Sequence, residues 1–434
     1  MAAYTNFIAA IDLGTSHIIG MVGEKSPSGI LSIVAEEKEI SEGCIKRGYI
    51  YNVEETAMRV KRLIRKLETK LQGTKIEQVY VGIGGQSLHT IDYTVSKILG
   101  GKGTVSEEVL SELEQDAHEY RPDTLDVLSV VSPTYMLDGN IEFDPLGHTC
   151  NRLEAIYKLV VGRPSLRLNL MKAIEEKCKI KIAGMFISPL VQADVLLSGE
   201  DKKLGCALVC FGAGVTSLAV YKNGKLINLI VIPLGCNLIT RDIMSLELND
   251  SEAERIKRNY ASARADKKNK TSIQVNFLNG EGKLSLSKLD IVVEARMKEI
   301  LENVYARLKD VAVADSLEAG IIICGGGAYL KYLPEVMQNR FGMNVRYAEI
   351  CNGIVEEESL SFVRNPENTV VIGLLNSGTE NCAFEEKEPE EEKKEPVKVV
   401  NTPVNENPQI TKDKKKGIIR RGFDSIMNNI FEDE

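Results

Sequence analysis

Near residue 12 and again near residue 212, the chain runs an apolar strand into a tight turn of small residues and straight back into an apolar strand. The first copy reads Phe7-Ile8-Ala9-Ala10-Ile11-Asp12-Leu13-Gly14-Thr15-Ser16-His17-Ile18-Ile19-Gly20-Met21-Val22-Gly23. The second runs from Cys206 through Gly212-Ala213-Gly214 to Ala219-Val220-Tyr221. Glycine lacks the Cβ that would hold a ligand off the backbone, so each turn lets main-chain N–H groups approach a polyphosphate. One such turn is an ordinary hairpin. Two of them, one in each half of a 434-residue chain, describe a nucleotide cleft between two similar domains.

The length predicts two or three domains with a sizeable core. A formal net charge of -8 argues against a nucleic-acid binder and for solubility. The nine cysteines, at 44, 150, 178, 206, 210, 236, 324, 351 and 382, form no Cys-x-x-Cys pair and no paired Cys/His motif. They read as reduced, mostly buried thiols of a cytoplasmic protein, with no zinc site and no disulfide framework. Met1-Ala2-Ala3-Tyr4-Thr5-Asn6 has no basic segment and enters the first strand directly, so no signal peptide is expected. No apolar run approaches the roughly 20 residues that cross a bilayer.

After the first hairpin come a third strand near 30–35 and a helix over about 52–72. That helix carries Val53, Ala57, Val60, Ile64 and Leu67 at helical spacing and a solvated face of Lys61, Arg62, Arg65 and Lys66. A strand over 79–85 ends in glycines, and the pattern then changes to short strands and helices up to about 161. A helix over 165–178 and a strand over 180–186 resume the first domain, so 85–161 reads as an insertion. The second half repeats the plan: hairpin, third strand at 226–233, and an excursion at 237–311 with two helices, a basic loop (Lys267, Lys268, Lys270) and two short strands. A strand at 319–324 then leads into Gly325-Gly326-Gly327-Ala328 and a helix from about Tyr332. Such symmetry is expected of a duplicated α/β fold.

Beyond Gly378 the folded pattern stops. Residues 385–396 hold seven glutamates, three lysines and two prolines, a composition that cannot build a core and predicts disorder. The last residues change character again. Ile419, Phe423, Ile426, Ile430 and Phe431 fall on one side of a helix, with Met427 beside them. About fourteen residues make a helix of about 21 Å, too short to span a membrane and long enough to lie in its interface. Lys412, Lys414, Lys415, Lys416, Arg420 and Arg421 cluster at its start, placed for anionic headgroups. The other reading docks this helix back on the globular body, but the long tether favours the membrane surface. One copy would bind marginally, and several held in an oligomer would bind firmly.

Together these segments resemble the FtsA family, actin-like bacterial cell-division proteins that anchor tubulin-like FtsZ filaments to the membrane. The resemblance covers about residues 6–378 plus the terminal helix. It implies duplicated actin/ribonuclease-H-like α/β domains around a nucleotide cleft, with ATP and Mg²⁺ as cofactors. The implied organisation is subdomain 1A at 1–84 and 162–197, the family's 1C insertion at 85–161, 2A at 198–236 and 312–378, and 2B at 237–311. A disordered linker at 379–416 and an amphipathic membrane-targeting helix at 417–434 complete it.

Asp12-Leu13-Gly14-Thr15-Ser16 is similar to the superfamily's first phosphate loop, where the Asp holds Mg²⁺ through water and a small hydroxyl meets phosphate. His17 stands where many members place Lys. Gly212, Ala213, Gly214 and Val215 occupy the second phosphate loop, and 235–242 resembles the start of subdomain 2B. Ala253-Glu254-Arg255-Ile256-Lys257 matches a helix segment whose Glu and Lys reach the nucleoside. A spacing of three puts Glu254 and Lys257 on one helix face. Gly325, Gly326 and Gly327 follow a buried strand and start a helix, which suits backbone packing against a nucleotide. By the same resemblance, 1C serves self-association, and the helix over 292–299 lies in the region that binds the FtsZ C-terminal peptide, with Arg296 and Lys298 as the candidate contacts. Ile419, Arg420, Arg421, Phe423, Ile426, Met427, Ile430 and Phe431 would meet the membrane.

The pattern is broken where hydrolysis needs it. Hydrolysing members begin the second loop with Asp and place Thr after its last glycine, and here those positions hold Cys210 and Val215. A second Asp position holds Ser217, and an acid often found before the connecting-helix proline is replaced by Ser188 ahead of Pro189. A thiol or methyl group cannot supply the missing charge. No catalytic residue is assigned, and a weakly hydrolysing or non-hydrolysing ATP switch is expected. The implied function is a filament-forming adaptor on the cytoplasmic face of the inner membrane at the division septum, tethering the FtsZ ring and meeting later division proteins. The alternatives are a kinase or chaperone-type ATPase on the same fold, and the related actin-like pilus-assembly protein.

Overall fold

The computed structural model describes residues 6–384. The expected acidic stretch, most of the expected linker and the terminal helix with Ile419, Arg420, Arg421, Phe423, Ile426, Met427, Ile430 and Phe431 lie outside the described residues.

Two sheets of like topology organise the fold. In the first, the order is Lys181–Ile187, Gln78–Ile83, Ile8–Leu13, His17–Lys25, Leu31–Ile40. Its first two neighbour pairs are parallel and its last two antiparallel. The second sheet repeats this with Val345–Tyr347, Gly320–Cys324, Cys206–Phe211, Thr216–Lys222 and Lys225–Ile232. The central strands IAAIDL and CALVCF are near-continuous apolar runs because helices or the other half cover both faces. This is a mixed α/β fold duplicated within one chain.

The helix Val53–Lys70 covers the first sheet. Asn52 caps it, its side chain accepting from the Glu55 amide at 3.0 Å, while Glu54 and Glu55 suit the positive end of the helix dipole. Its buried face is Ala57, Val60, Leu63, Ile64 and Leu67. Gly20 makes that packing possible, since a Cβ there would stand 2.9 Å from both Leu63 and Leu67. The exposed side is less idle than its pattern implies: Arg62 and Lys66 both reach Glu39.

Three findings correct the sequence-based organisation. First, the insertion leaves the first domain after Gln78–Ile83 but extends the sheet of the second. The strands His89–Thr104, Thr149–Gly162, Asp126–Leu137 and Asn140–Glu142 continue it from Lys225–Ile232, with Ile230 opposite His89. The Thr90 hydroxyl donates to Asn228 Oδ1 and accepts from the Leu229 amide, both at 2.9 Å, and the Val231 amide donates to the Leu88 carbonyl. The insertion also has a small core of its own around Leu153, Tyr157 and Leu159.

Second, the excursion holds three helices, Asn237–Met244, Asp250–Tyr260 and Leu286–Lys309, rather than two, with the hairpin Ser272–Phe277 and Gly280–Ser285 between the last two. The first is only eight residues long, too short for its apolar period to stand out.

Third, the chain returns to the first half earlier and stays folded longer than expected. The helix Thr369–Ser377, assigned from sequence to subdomain 2A, buries Val371, Ile372, Leu374 and Leu375 in the core beneath the first sheet. Gly373 allows the contact, because a Cβ there would lie 2.4 Å from the Val191 carbonyl oxygen. Lys25 Nζ closes the helix end by donating to the Asn376 and Gly378 carbonyls. Residues 379–384, assigned to the disordered linker, are held: the Tyr80 hydroxyl accepts from the Thr379 and Glu380 amides, and Cys382 is buried. The Cys382 amide donates to Phe7, and Ala383 bridges to Ile76.

Candidate functional site

The two hairpins are equal in register. Leu13 pairs with Ile18 and Phe211 with Thr216, so Gly14-Thr15-Ser16-His17 and Gly212-Ala213-Gly214-Val215 are matching turns. A Cβ on Gly14 would lie 2.7 Å from the His17 carbonyl oxygen, and one on Gly212 would lie 2.9 Å from that of Val215. Each turn therefore requires glycine at its first position.

The turns meet. A Cβ on Gly214 would stand 2.4 Å from Thr15 Oγ1 and 2.9 Å from the Arg47 Cα. Thr15 is fixed on its other side, its hydroxyl accepting from the Gly48 amide at 2.9 Å. Among the described residues, no protein acceptor takes the amides of Thr15, Ser16, Ala213 or Gly214. Main-chain donors left over at two facing glycine turns fit a phosphate chain.

Cys236 gathers the rest of the second half. Its amide donates to the Gly212 carbonyl at 2.9 Å, and its Sγ occupies the place where a Gly327 Cβ would be. Its carbonyl accepts from Lys257 Nζ at 3.3 Å. Gly325, with φ +83, packs on Phe211, whose carbonyl oxygen would lie 2.6 Å from its Cβ. The second turn, the Gly325-Gly326-Gly327 turn and the helix Asp250–Tyr260 thus form one contact group. Glu254 and Lys257 pair at 2.6 Å, and Thr240 links them, donating to Glu254 and accepting from Lys257 at 2.7 Å each. Burial opposes the Glu254 charge, but Lys257, Arg258 and Thr240 together bring its carboxyl down to about 2.

Electrostatically the two loops differ. Burial pushes the Asp12 carboxyl up to about 7, against one hydrogen bond from the Leu13 amide. A desolvated carboxyl that holds its proton up to about neutral pH, beside unpaired amides, fits a site completed by a cation such as Mg²⁺, which would draw off its proton. At the equivalent step of the second hairpin stands Cys210. Hydrogen bonds with Cys324, Gln192 and Ser217 lower its thiol despite burial and the Asp12 charge. Ser188 fills the last expected acidic position, its Oγ 2.4 Å from where a Gly82 Cβ would be. His17 is held low by burial, and its ring contacts Ser16 Oγ at 3.2 Å.

Other expected residues fall elsewhere. Arg296 pairs with Asp242 at 2.5 and 3.1 Å and with Glu299, so its guanidinium is engaged within the 237–309 region. Lys298 is exposed on the same helix, Leu286–Lys309.

Sequence reasoning missed a cross-domain group. Glu367 lies 3.4 Å from Lys38, 4.0 Å from His17 and 3.4 Å from Arg258, whose Nε donates to Glu254 at 2.8 Å. Arg258 was findable, one residue beyond Lys257 and one turn beyond Glu254. Glu367 carried no local signal, since its partners are distant in sequence.

A family model described as cell division protein FtsA matches residues 207–373. The cell division protein FtsA of Porphyromonas gingivalis is 34% identical over 388 residues, covering 88% of this chain and 80% of that protein. The chain belongs to the FtsA family. The FtsA of Bacillus subtilis is 28% identical over 383 residues, covering 87% of this chain and 84% of that one. Among solved structures, a PilM-PilN type IV pilus biogenesis complex matches with a TM-score of 0.60 at 16% identity, covering 85% of this chain and 97% of that chain. At that identity the likeness shows fold alone. The FtsA family assigns the chain to cell division and its duplicated α/β architecture to the actin-like class. No helix of the described residues is long and apolar enough to cross a membrane.

Proposed function

We propose that this FtsA-family chain is a nucleotide-dependent scaffold of the division machinery. ATP binds with Mg²⁺ between the two glycine turns, Asp12 holding the metal through water and the free amides holding phosphate. Glu254 and Lys257 take the nucleoside. The observation that carries this reading is the pair of equal hairpins in which one keeps its acid and the other has a thiol. Without a carboxylate at 188, 210 or 217 to orient a water or metal, hydrolysis is weak or absent. Bound ATP then sets the relation between the halves and is not consumed.

The scaffold self-associates into filaments. Supporting this, the insertion exposes Ile98, Ile141 and Phe143 at 80, 62 and 68%, apolar side chains available to a neighbouring copy. The FtsZ C-terminal peptide is held by the 237–311 region, with Arg296 and Lys298 as candidate contacts, and residues 417–434 hold the assembly at the cytoplasmic face of the inner membrane at the septum. Later division proteins join there.

Liposome co-sedimentation with and without residues 417–434 tests the anchor, and equal sedimentation of both would sink it. Titration with ATP and ADP tests the cleft, with tighter ATP binding expected. Phosphate release by the unaltered chain stays near background, and brisk turnover would favour the enzyme reading.

A further inference from the structure

Cys210 and Cys324 stand opposite each other on neighbouring parallel strands, Cys206–Phe211 and Gly320–Cys324. Neighbouring strands run about 4.8 Å apart, within the roughly 4.4–6.8 Å between Cα atoms that a disulfide spans. Partners in register point to the same face of a sheet, so the two thiols are neighbours on one face, and each shifts the acidity of the other. Cys210 Sγ also lies 3.0 Å from where a Gly325 Cβ would be, so it faces the gap that this glycine leaves open. Of the nine cysteines, only Cys210 and Cys351 retain open surface, and the other seven are buried. Among the described residues, no cluster of three or more ligating side chains could hold a metal.

We propose that Cys210 and Cys324 are a peroxide-sensitive dithiol that closes to a disulfide at the floor of the cleft. The Cys210 thiolate sulfur attacks one oxygen of a hydroperoxide. The O–O bond breaks, the departing alkoxide or hydroxide takes a proton, and Cys210 becomes a sulfenic acid. Cys324 sulfur then attacks the Cys210 sulfur, the S–O bond breaks, and hydroxide leaves with the Cys324 proton as water. Two thiols are oxidised, and one peroxide is reduced to water and an alcohol, or to two waters.

The environment divides the labour between the sulfurs. Hydrogen bonds from Cys324, Gln192 and Ser217 favour a thiolate on Cys210, while burial keeps Cys324 protonated and well above the usual range. Cys351 is the internal control, also only partly buried as a residue, with its thiol pushed up by burial and by Asp201. Closing the disulfide ties the second glycine turn covalently to the Gly325-Gly326-Gly327 turn. It also disturbs the surroundings of Gln192, a residue of the helix Ser188–Leu196 beneath the first sheet whose Nε2 donates to Thr369 Oγ1 at 2.7 Å. Its effect on ATP rests on the nucleotide reading above, whereas the dithiol chemistry does not.

The test treats the folded full-length chain with hydrogen peroxide, blocks remaining thiols by alkylation, and reads digests by mass spectrometry. The expected first product is a peptide pair cross-linked through Cys210 and Cys324, formed at least about ten times faster than oxidation of Cys351. In Cys324→Ser, the Cys210 sulfenic acid persists and is trapped by a cyclic dione. The proposal is overturned if Cys351 or a buried thiol reacts first, or if Cys210 passes to sulfinic acid without cross-linking. The unaltered chain decides alone if the variant does not fold. A cross-link in a chain that shows no ATP binding supports the dithiol and counts against the nucleotide reading only.

Discussion

Asp12 and Cys210 occupy the same step of two equal hairpins, Asp12 opposite Ile19 and Cys210 opposite Ser217, each just before the pair that closes its turn. The duplication makes one the structural counterpart of the other, and the Asp12 charge is felt at the Cys210 thiol. The pseudo-symmetric site therefore has one carboxyl where a symmetric one would have two.

The Asp12 carboxyl, raised from 3.8 to about 7, sets a pH dependence of stability. The unfolded chain loses this proton near its ordinary value while the folded chain keeps it to about 7. Stability from this group is thus full below about pH 4 and declines as pH rises towards 7. Asp12→Asn removes the decline, and the variant should be more stable than the parent at pH 8 by about 1–3 kcal/mol. Urea midpoints at pH 5 and pH 8 check this, and an unchanged pH slope in the variant would contradict it.

Glu254 works in the opposite sense. Its carboxyl is lowered from 4.5 to about 2, so its contribution is present above pH 4.5 and fades as pH falls towards 2. Glu254→Gln leaves Lys257 without its carboxylate and Arg258 with Glu367 alone, and should flatten the acid limb of the stability profile. Acid titrations followed by circular dichroism, parent against variant, measure it.

Cys210→Asp places a second buried carboxyl near Asp12. Two such groups cannot both ionise cheaply in a desolvated site, so the variant should lose about 1–3 kcal/mol at pH 8. The loss should shrink at pH 5, and denaturant midpoints that move equally at both pH values would refute the coupling.

Arg258 and Glu367 join the halves through an ion pair in which Arg258 is 55% exposed. Water screens such pairs, and a double-mutant cycle with Arg258→Ala and Glu367→Ala should give a coupling of about 0.2–1 kcal/mol. A value well above 2 kcal/mol would show that the pair holds the halves together by itself.

Thr90→Val deletes the hydroxyl that serves both Asn228 and the Leu229 amide. The unmatched amide should cost about 1–3 kcal/mol, and deuterium exchange should quicken at Leu229 and Val231 while the core around Leu153 stays protected. Uniform loss of protection would mean that the insertion does not depend on this junction.

Much of this was legible because it is local. The hairpins, the capped helix Val53–Lys70 and the Gly325-Gly326-Gly327 turn declare themselves through apolar period and glycine. What stayed hidden depends on partners far apart in the chain. Glu367 gains meaning only beside His17, Lys38 and Arg258. The insertion belongs by sequence to the first half, but its strand finds an open edge on the second sheet. Thr369–Ser377 follows second-domain residues yet buries its apolar face in the core of the first, the place left uncovered there.

The hold on residues 379–384 has a mechanical meaning. Tyr80 sits in the middle of the strand Gln78–Ile83 and takes the Thr379 and Glu380 amides, while Cys382 and Ala383 lie along Phe7 and Ile76. A pull at Phe384 is delivered to Gln78–Ile83 and to the start of Ile8–Leu13, the strand that carries Asp12, not to a fraying helix end. Residues 379–384 are thereby built into the frame of the first glycine turn.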